Sequence, residues 1–115
     1  AHIDKRSHSN DIFGMMSYLN SFDKSIELCH SKLQSQTNVT LIVTADHETG
    51  GLKYSNQTKD EINNSLYTRS GHSSKDVPYF IFQKTQSTIK LNSVLKSKID
   101  NTDIFKLSKS LLGLD

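Results

Sequence analysis

At 115 residues, 34% hydrophobic and 23% charged, the chain is long enough for one small domain with a modest core. Its 14 Lys/Arg are interspersed with 12 Asp/Glu for a formal net charge of +2, so no basic stripe of the kind that selects nucleic acid is present. The single cysteine, Cys29, excludes an internal disulfide and a thiolate metal cage, and these residues contain neither a transmembrane run nor a signal-peptide pattern. The chain enters a charged motif directly at Ala1-His2-Ile3-Asp4, without Met, and reads as a cut piece of something longer.

In chain order, Asp4 and His8 come first, four residues apart, a spacing that places both on one face of a helical turn. Asn10 or Asp11 can cap a helix whose apolar residues Ile12, Met15, Met16, Leu19, Phe22, Ile26, Cys29 and Leu33 recur at steps of three and four. On that stripe Cys29 reads as a small core residue. A polar connector, 34–38, leads into Val39–Ala45, an apolar strand. A helix returning into such a strand predicts the αβ half of a parallel sheet, covered on both faces, and hence an α/β class. Residues 53–70 are polar and read as a surface excursion with one short helix around Asp60–Tyr67. Val77–Phe82 is a second strand, with Pro78 at its start or on a sheet edge. Alternations at Ile89, Leu91 and Val94 are too weak to define an element. Asp100-Asn101-Thr102 caps a last helix, with Ile104, Phe105, Leu107, Leu111 and Leu112 inward and Gly113 closing it.

Three places carry possible chemistry: the Asp4/His8 pair, Asp46-His47 at the end of the first strand, and His72 in the loop Ser70-Gly71-His72-Ser73-Ser74. Catalytic groups in open α/β sheets collect at the carboxyl ends of strands, so these segments could converge there. Imidazole and carboxylate donors without thiolate are what a catalytic zinc site with an open position uses. Each place also has a plainer account. Asp4 and His8 could be a helix-surface pair, and His72 a solvated loop residue. Asp46-His47 is harder to dismiss, because an acid and an imidazole ending a buried strand are costly unless paired. Gly50-Gly51 could be an ordinary turn or could let backbone approach a ligand. His2 and His30 have no partner in sequence and carry no role.

The segments, in this order, resemble the carboxy-terminal part of alkaline phosphatases. Ile3-Asp4-Lys5-Arg6-Ser7-His8 is similar to that family's Ile-Asp-x-x-x-His segment. Thr44-Ala45-Asp46-His47-Glu48-Thr49-Gly50-Gly51 resembles its Thr-Ala-Asp-His segment, and Ser70-Gly71-His72-Ser73 through Val77-Pro78 its Gly-His-Thr stretch before a strand. Asp100 to Phe105 and the closing Leu112-Gly113-Leu114 resemble its terminal helix, so that the matches cover about half the chain. The resemblance implies that residues 1–115 are the carboxy-terminal portion of one catalytic domain. It implies two zinc ions, one held by Asp4, His8 and His72 and the other in part by Asp46 and His47. Zinc lowers the pKa of bound water and clamps the apical oxygens of an in-line displacement, here by way of a phosphoserine. Lys5 matches a position where bacterial members carry a lysine near the phosphate and a magnesium site.

The family's nucleophilic serine, its phosphate-gripping arginine and the aspartate bridging zinc and magnesium belong to its amino-terminal half. No catalytic nucleophile is assigned in this chain, and the isolated chain is expected to be inactive. A magnesium-binding glutamate five residues before Asp4 would precede Ala1, so most magnesium ligands lie elsewhere. Phe82 to Gln86 stands where many members carry a Gly-rich segment. The expected activity of the parent is hydrolysis of phosphate monoesters. Alternatives are another metal-dependent phospho- or sulfo-hydrolase or mutase with the same core, or a non-catalytic metal-binding domain. The resemblance implies a periplasmic, secreted or cell-surface parent and leaves a homodimer open. Asn38-Val39-Thr40, Asn56-Gln57-Thr58 and Asn63-Asn64-Ser65 fit the N-glycosylation pattern.

Overall fold

The structure is a computed structural model that describes residues 1–84 and 97–114. The first helix, α1 (His2–His8), ends in a reversal at Asn10, whose φ of 52° lies in the left-handed region that asparagine tolerates. The chain then enters α2 (Ile12–Leu33). Asp11 caps α2 by accepting from the Gly14 amide at 2.9 Å, and its other oxygen meets the Arg6 guanidinium at 3.0 Å. Ile12 (2% exposed), Met15 and Tyr67 (7%) form the core, with Ile3, Leu52, Ile62 and Leu66 packed against it.

Tyr67, Leu66 and Ile62 come from the 53–70 segment, which therefore closes the core while most of its residues remain exposed. A helix over Asp60–Tyr67 does not form. Two 3-10 turns, Lys59–Glu61 and Asn64–Leu66, take its place. Side chains explain why: Glu61 accepts from the Thr58 amide and Asn63 from the Ser65 amide, capping the backbone locally before a longer ladder can propagate. Asn64 also accepts the Ile12 amide at 3.0 Å, satisfying one of the orphan donors at the start of α2.

The strand β1 (Val39–Thr44) pairs with β4 (Tyr79–Lys84) in register Ile42↔Ile81, with Pro78 just outside the ladder. The pairing is antiparallel, in place of the parallel arrangement that the apolar run suggests. An unbroken apolar strand reports coverage of both faces and says nothing direct about the direction of its neighbour. Between these strands lie β2 (Glu48–Thr49) and β3 (His72–Ser73), a second antiparallel pair in register Thr49↔His72. The last helix is α3 (Asn101–Leu111). The weak alternation at Ile89, Leu91 and Val94 lies outside the described residues.

Two packing expectations are corrected. In α3, Leu107 is 4% exposed and Ile104 and Leu111 are half-buried, but Phe105 (70%) and Leu112 are exposed. Residues 104, 107 and 111 share one face, whereas each next residue lies about 100° round the helix. Cys29 is likewise exposed, as are Met16, Leu19 and Phe22. The core reaches only the first turns of α2, and beyond them the two-stranded β1/β4 sheet leaves Leu19, Phe22 and Cys29 exposed, with Ile26 and Leu33 half-buried. The architecture is mixed helix and small sheets, a partial α/β fold.

Candidate metal centre

The i, i+4 spacing on α1 brings His8 Nε2 to 3.3 Å from Asp4 Oδ1. The β2–β3 pair carries His72 to the same place, its Nε2 3.2 Å from His8 Nε2 and 3.9 Å from Asp4 Oδ1. Among the described residues these three form a group in which one ligand atom from each lies within 4.8 Å of the others. Tetrahedral bonds of 2.0–2.1 Å to one zinc would separate its donors by about 3.3 Å. The triangle fits such an ion, and its two imidazoles are exposed.

The second pair is adjacent. His47 Nε2 lies 3.5 Å from Asp46 Oδ2, and the His47 ring stacks on His72 with centroids 3.6 Å apart. His47 therefore lies against the Asp4/His8/His72 group through its ring, while Asp46, 86% exposed, adjoins it only by way of His47. Asp46 is anchored from α3, where Asn101 Nδ2 donates to its backbone oxygen at 2.8 Å. Lys5, next to Asp4, is exposed, and among the described residues no hydrogen bond or ion pair joins its ammonium to the cluster. Helical geometry turns it about 100° away from its neighbour.

Several supporting groups are absent from the sequence reading. Thr49 Oγ1 donates to Asp4 Oδ1 at 2.8 Å and lies 3.1 Å from His47 Nδ1. That hydroxyl, followed by the imidazoles of His8, His47 and His72, holds the Asp4 carboxyl below the usual carboxylate range against the opposing effect of burial. A period-two reading of 47–49 would have put Thr49 on the side of His47. Its bond to Asp4, 45 residues away, has no local signal. His8 Nδ1 faces the Ser70 backbone oxygen. Burial pushes the Glu48 carboxyl up, but the Ser73 hydroxyl, the Leu52 and Gly51 amides and Lys75 outweigh it, leaving the group below its ordinary value. Glu48 thereby ties β2 to β3 beside His72. Gly50 and Gly51, at φ 93° and 60°, are packing devices: a Cβ on Gly50 would overlap the Tyr67 ring, and one on Gly51 the Thr68 hydroxyl.

The sequence pattern of the alkaline phosphatase family matches residues 1–108. The chain belongs to the alkaline phosphatase family. It is 29% identical over 98 residues to alkaline phosphatase 3 of Bacillus subtilis (strain 168), a match covering 85% of this chain and 20% of that protein. The chain thus spans about a fifth of the length of that curated relative. No solved structure matches it. Metal cofactors go with alkaline phosphatases, and the Asp4/His8/His72 donor set has the chemistry and the spacing to hold one. No helix among the described residues is long and apolar enough to cross a membrane.

Proposed function

We propose that this chain is the carboxy-terminal portion of a single alkaline-phosphatase catalytic domain whose intact form hydrolyses phosphate monoesters. The observation that carries the reading is the triangle of Asp4 Oδ1, His8 Nε2 and His72 Nε2, with edges of 3.2, 3.3 and 3.9 Å. Asp4, His8 and His72 would hold one zinc, and Asp46 with His47 would supply part of the shell of a second. A zinc ion held by these residues would supply Lewis acidity toward water and toward phosphate oxygens. Lys5 lies on the same helix as Asp4 and His8 and would swing its flexible stem toward phosphate or a magnesium-bound water. The nucleophile, a serine that becomes phosphorylated, and most magnesium ligands come from residues outside this chain. Such a parent works in the periplasm, outside the cell or on its surface.

The test is metal dependence in the full-length protein. Chelation should abolish hydrolysis of a chromogenic phosphate monoester, and zinc should restore it, with about two zinc ions recovered per active chain. Full activity in the metal-free protein would refute the reading.

A further inference from the structure

Thr49 stands between the two sets of candidate ligands. A hydroxyl has one proton to donate, and a carboxylate oxygen only accepts. The Thr49 proton therefore goes to Asp4 Oδ1 at 2.8 Å, and only a lone pair is left for His47 Nδ1 at 3.1 Å. It follows that Nδ1 of His47 carries the hydrogen and that, in the neutral ring, Nε2 is the atom left to bind a metal, on the side where Asp46 Oδ2 lies 3.5 Å away. His8 obeys the same logic with a different partner. Its Nδ1 faces the Ser70 carbonyl, which can only accept, so Nδ1 carries a hydrogen and, in the neutral ring, Nε2 is the atom left to bind a metal beside Asp4 and His72. An outer partner of this kind fixes the tautomer and ring orientation of metal-ligating histidines. The Ser70 oxygen serves one imidazole. The Thr49 hydroxyl serves a carboxylate of one set and an imidazole of the other.

We propose that Thr49 is a positioning residue for both metal positions at once, its hydroxyl orienting the Asp4 carboxylate and setting the His47 tautomer. The inference rests on the metal-centre reading above. Its counterpart is a purely structural Thr49 that does no more than pair with His72 across the β2–β3 ribbon. Valine separates the two, because it keeps the β-branched shape and the backbone pairing while removing the hydroxyl.

The experiment uses the full-length protein with Thr49→Val and Thr49→Ser, stripped of metal and titrated with zinc against a chromophoric chelator. Long-range nitrogen–proton spectra of histidine-labelled apo-protein report the His47 tautomer independently of turnover. Thr49→Val should weaken both zinc-binding steps by about 10–100-fold, the usual cost of losing an outer-shell partner. It should also release His47 from the Nδ1–H form, whereas Thr49→Ser should preserve affinity and tautomer. Wild-type affinity at both steps in Thr49→Val, or weakening of one step alone, overturns the shared role. If the valine variant does not fold, an Nε2–H tautomer for His47 in the wild-type apo-protein overturns it instead. A wild-type protein that takes up no zinc sinks the metal-centre reading and this inference together, while normal uptake with an unaffected valine variant sinks this inference alone.

Discussion

His72 enters the cluster from a two-residue strand, held by Arg69 Nη1 donating to its backbone oxygen and by pairing with Thr49. Its side chain is half exposed, so truncation removes a donor without opening a core cavity. In the full-length protein His72→Ala should therefore weaken one zinc and lower turnover strongly. High zinc should recover part of the loss, because mass action refills a weakened site. His30, on α2, packs edge-on against Phe82 of β4 and is not one of the candidate ligands, and His30→Ala should change neither metal content nor rate. Metal analysis beside steady-state kinetics decides the matter, and equal zinc and equal turnover in the two variants would remove His72 from the site. Much of this geometry is legible in the residues themselves. The i, i+4 spacing puts Asp4 and His8 together, and the end of an apolar strand marks Asp46 and His47, although the Asp46 side chain is 86% exposed and carries no burial cost. Thr49 and the Ser70 carbonyl are not legible, because their partners lie 45 and 62 residues away and nothing local selects them.

At the level of elements, the glycine turn and the α3 cap are the two devices that hold the site segments in place. Gly50 combines φ of 93° with a Tyr67 ring where its Cβ would be. Adding left-handed strain to overpacking, Gly50→Ala should cost about 2–4 kcal/mol, read as a lower urea midpoint with an unchanged slope. An unshifted midpoint would mean that the turn relaxes freely. Asp100 caps α3 by accepting from the Thr102 amide and hydroxyl at 2.9 and 2.8 Å, which holds its carboxyl below the ordinary value. Because the folded pKa is depressed, this contribution is complete above the unfolded pKa and is lost as pH falls through the folded one. Acidification below about pH 4 should therefore fray the start of α3 and loosen the Asn101 hold on Asp46. Asp100→Asn, which keeps a capping oxygen but cannot titrate, should flatten that dependence. Hydrogen exchange of α3 amides across pH 3–6 measures it, and identical pH profiles for the two proteins would count against the cap. The cap residues themselves are plain in Asp100-Asn101-Thr102. The inward set was legible only as far as residues 104, 107 and 111, since grouping Phe105 and Leu112 with them ignores their angular offset on the helix.

For the molecule as a whole, the distribution of apolar surface decides its behaviour in solution. A Cα radius of gyration of 16.9 Å exceeds the roughly 13 Å of a compact domain of this length. Ile3, Leu19, Phe22, Ile26, Val43 and Phe80 are among the residues around a cavity of about 460 Å³ between α2 and the β1/β4 sheet. Phe22 is 45% exposed beside it, and Phe13, Phe80 and Leu28 are open as well. Sequence periodicity identifies these side chains as burial-seeking, but it cannot say what covers them, because periodicity describes one element and coverage belongs to its neighbours. Exposed apolar side chains around such a cavity promote association in water. The 115-residue chain by itself should therefore bind the dye ANS strongly and self-associate at tens of micromolar. Phe22→Ser combined with Phe80→Thr should reduce both effects, since the two aromatic rings flank the same cavity. Dye fluorescence and sedimentation velocity test this on the same samples. A monomeric chain with no dye binding would show that the α2 stripe finds cover within the chain itself.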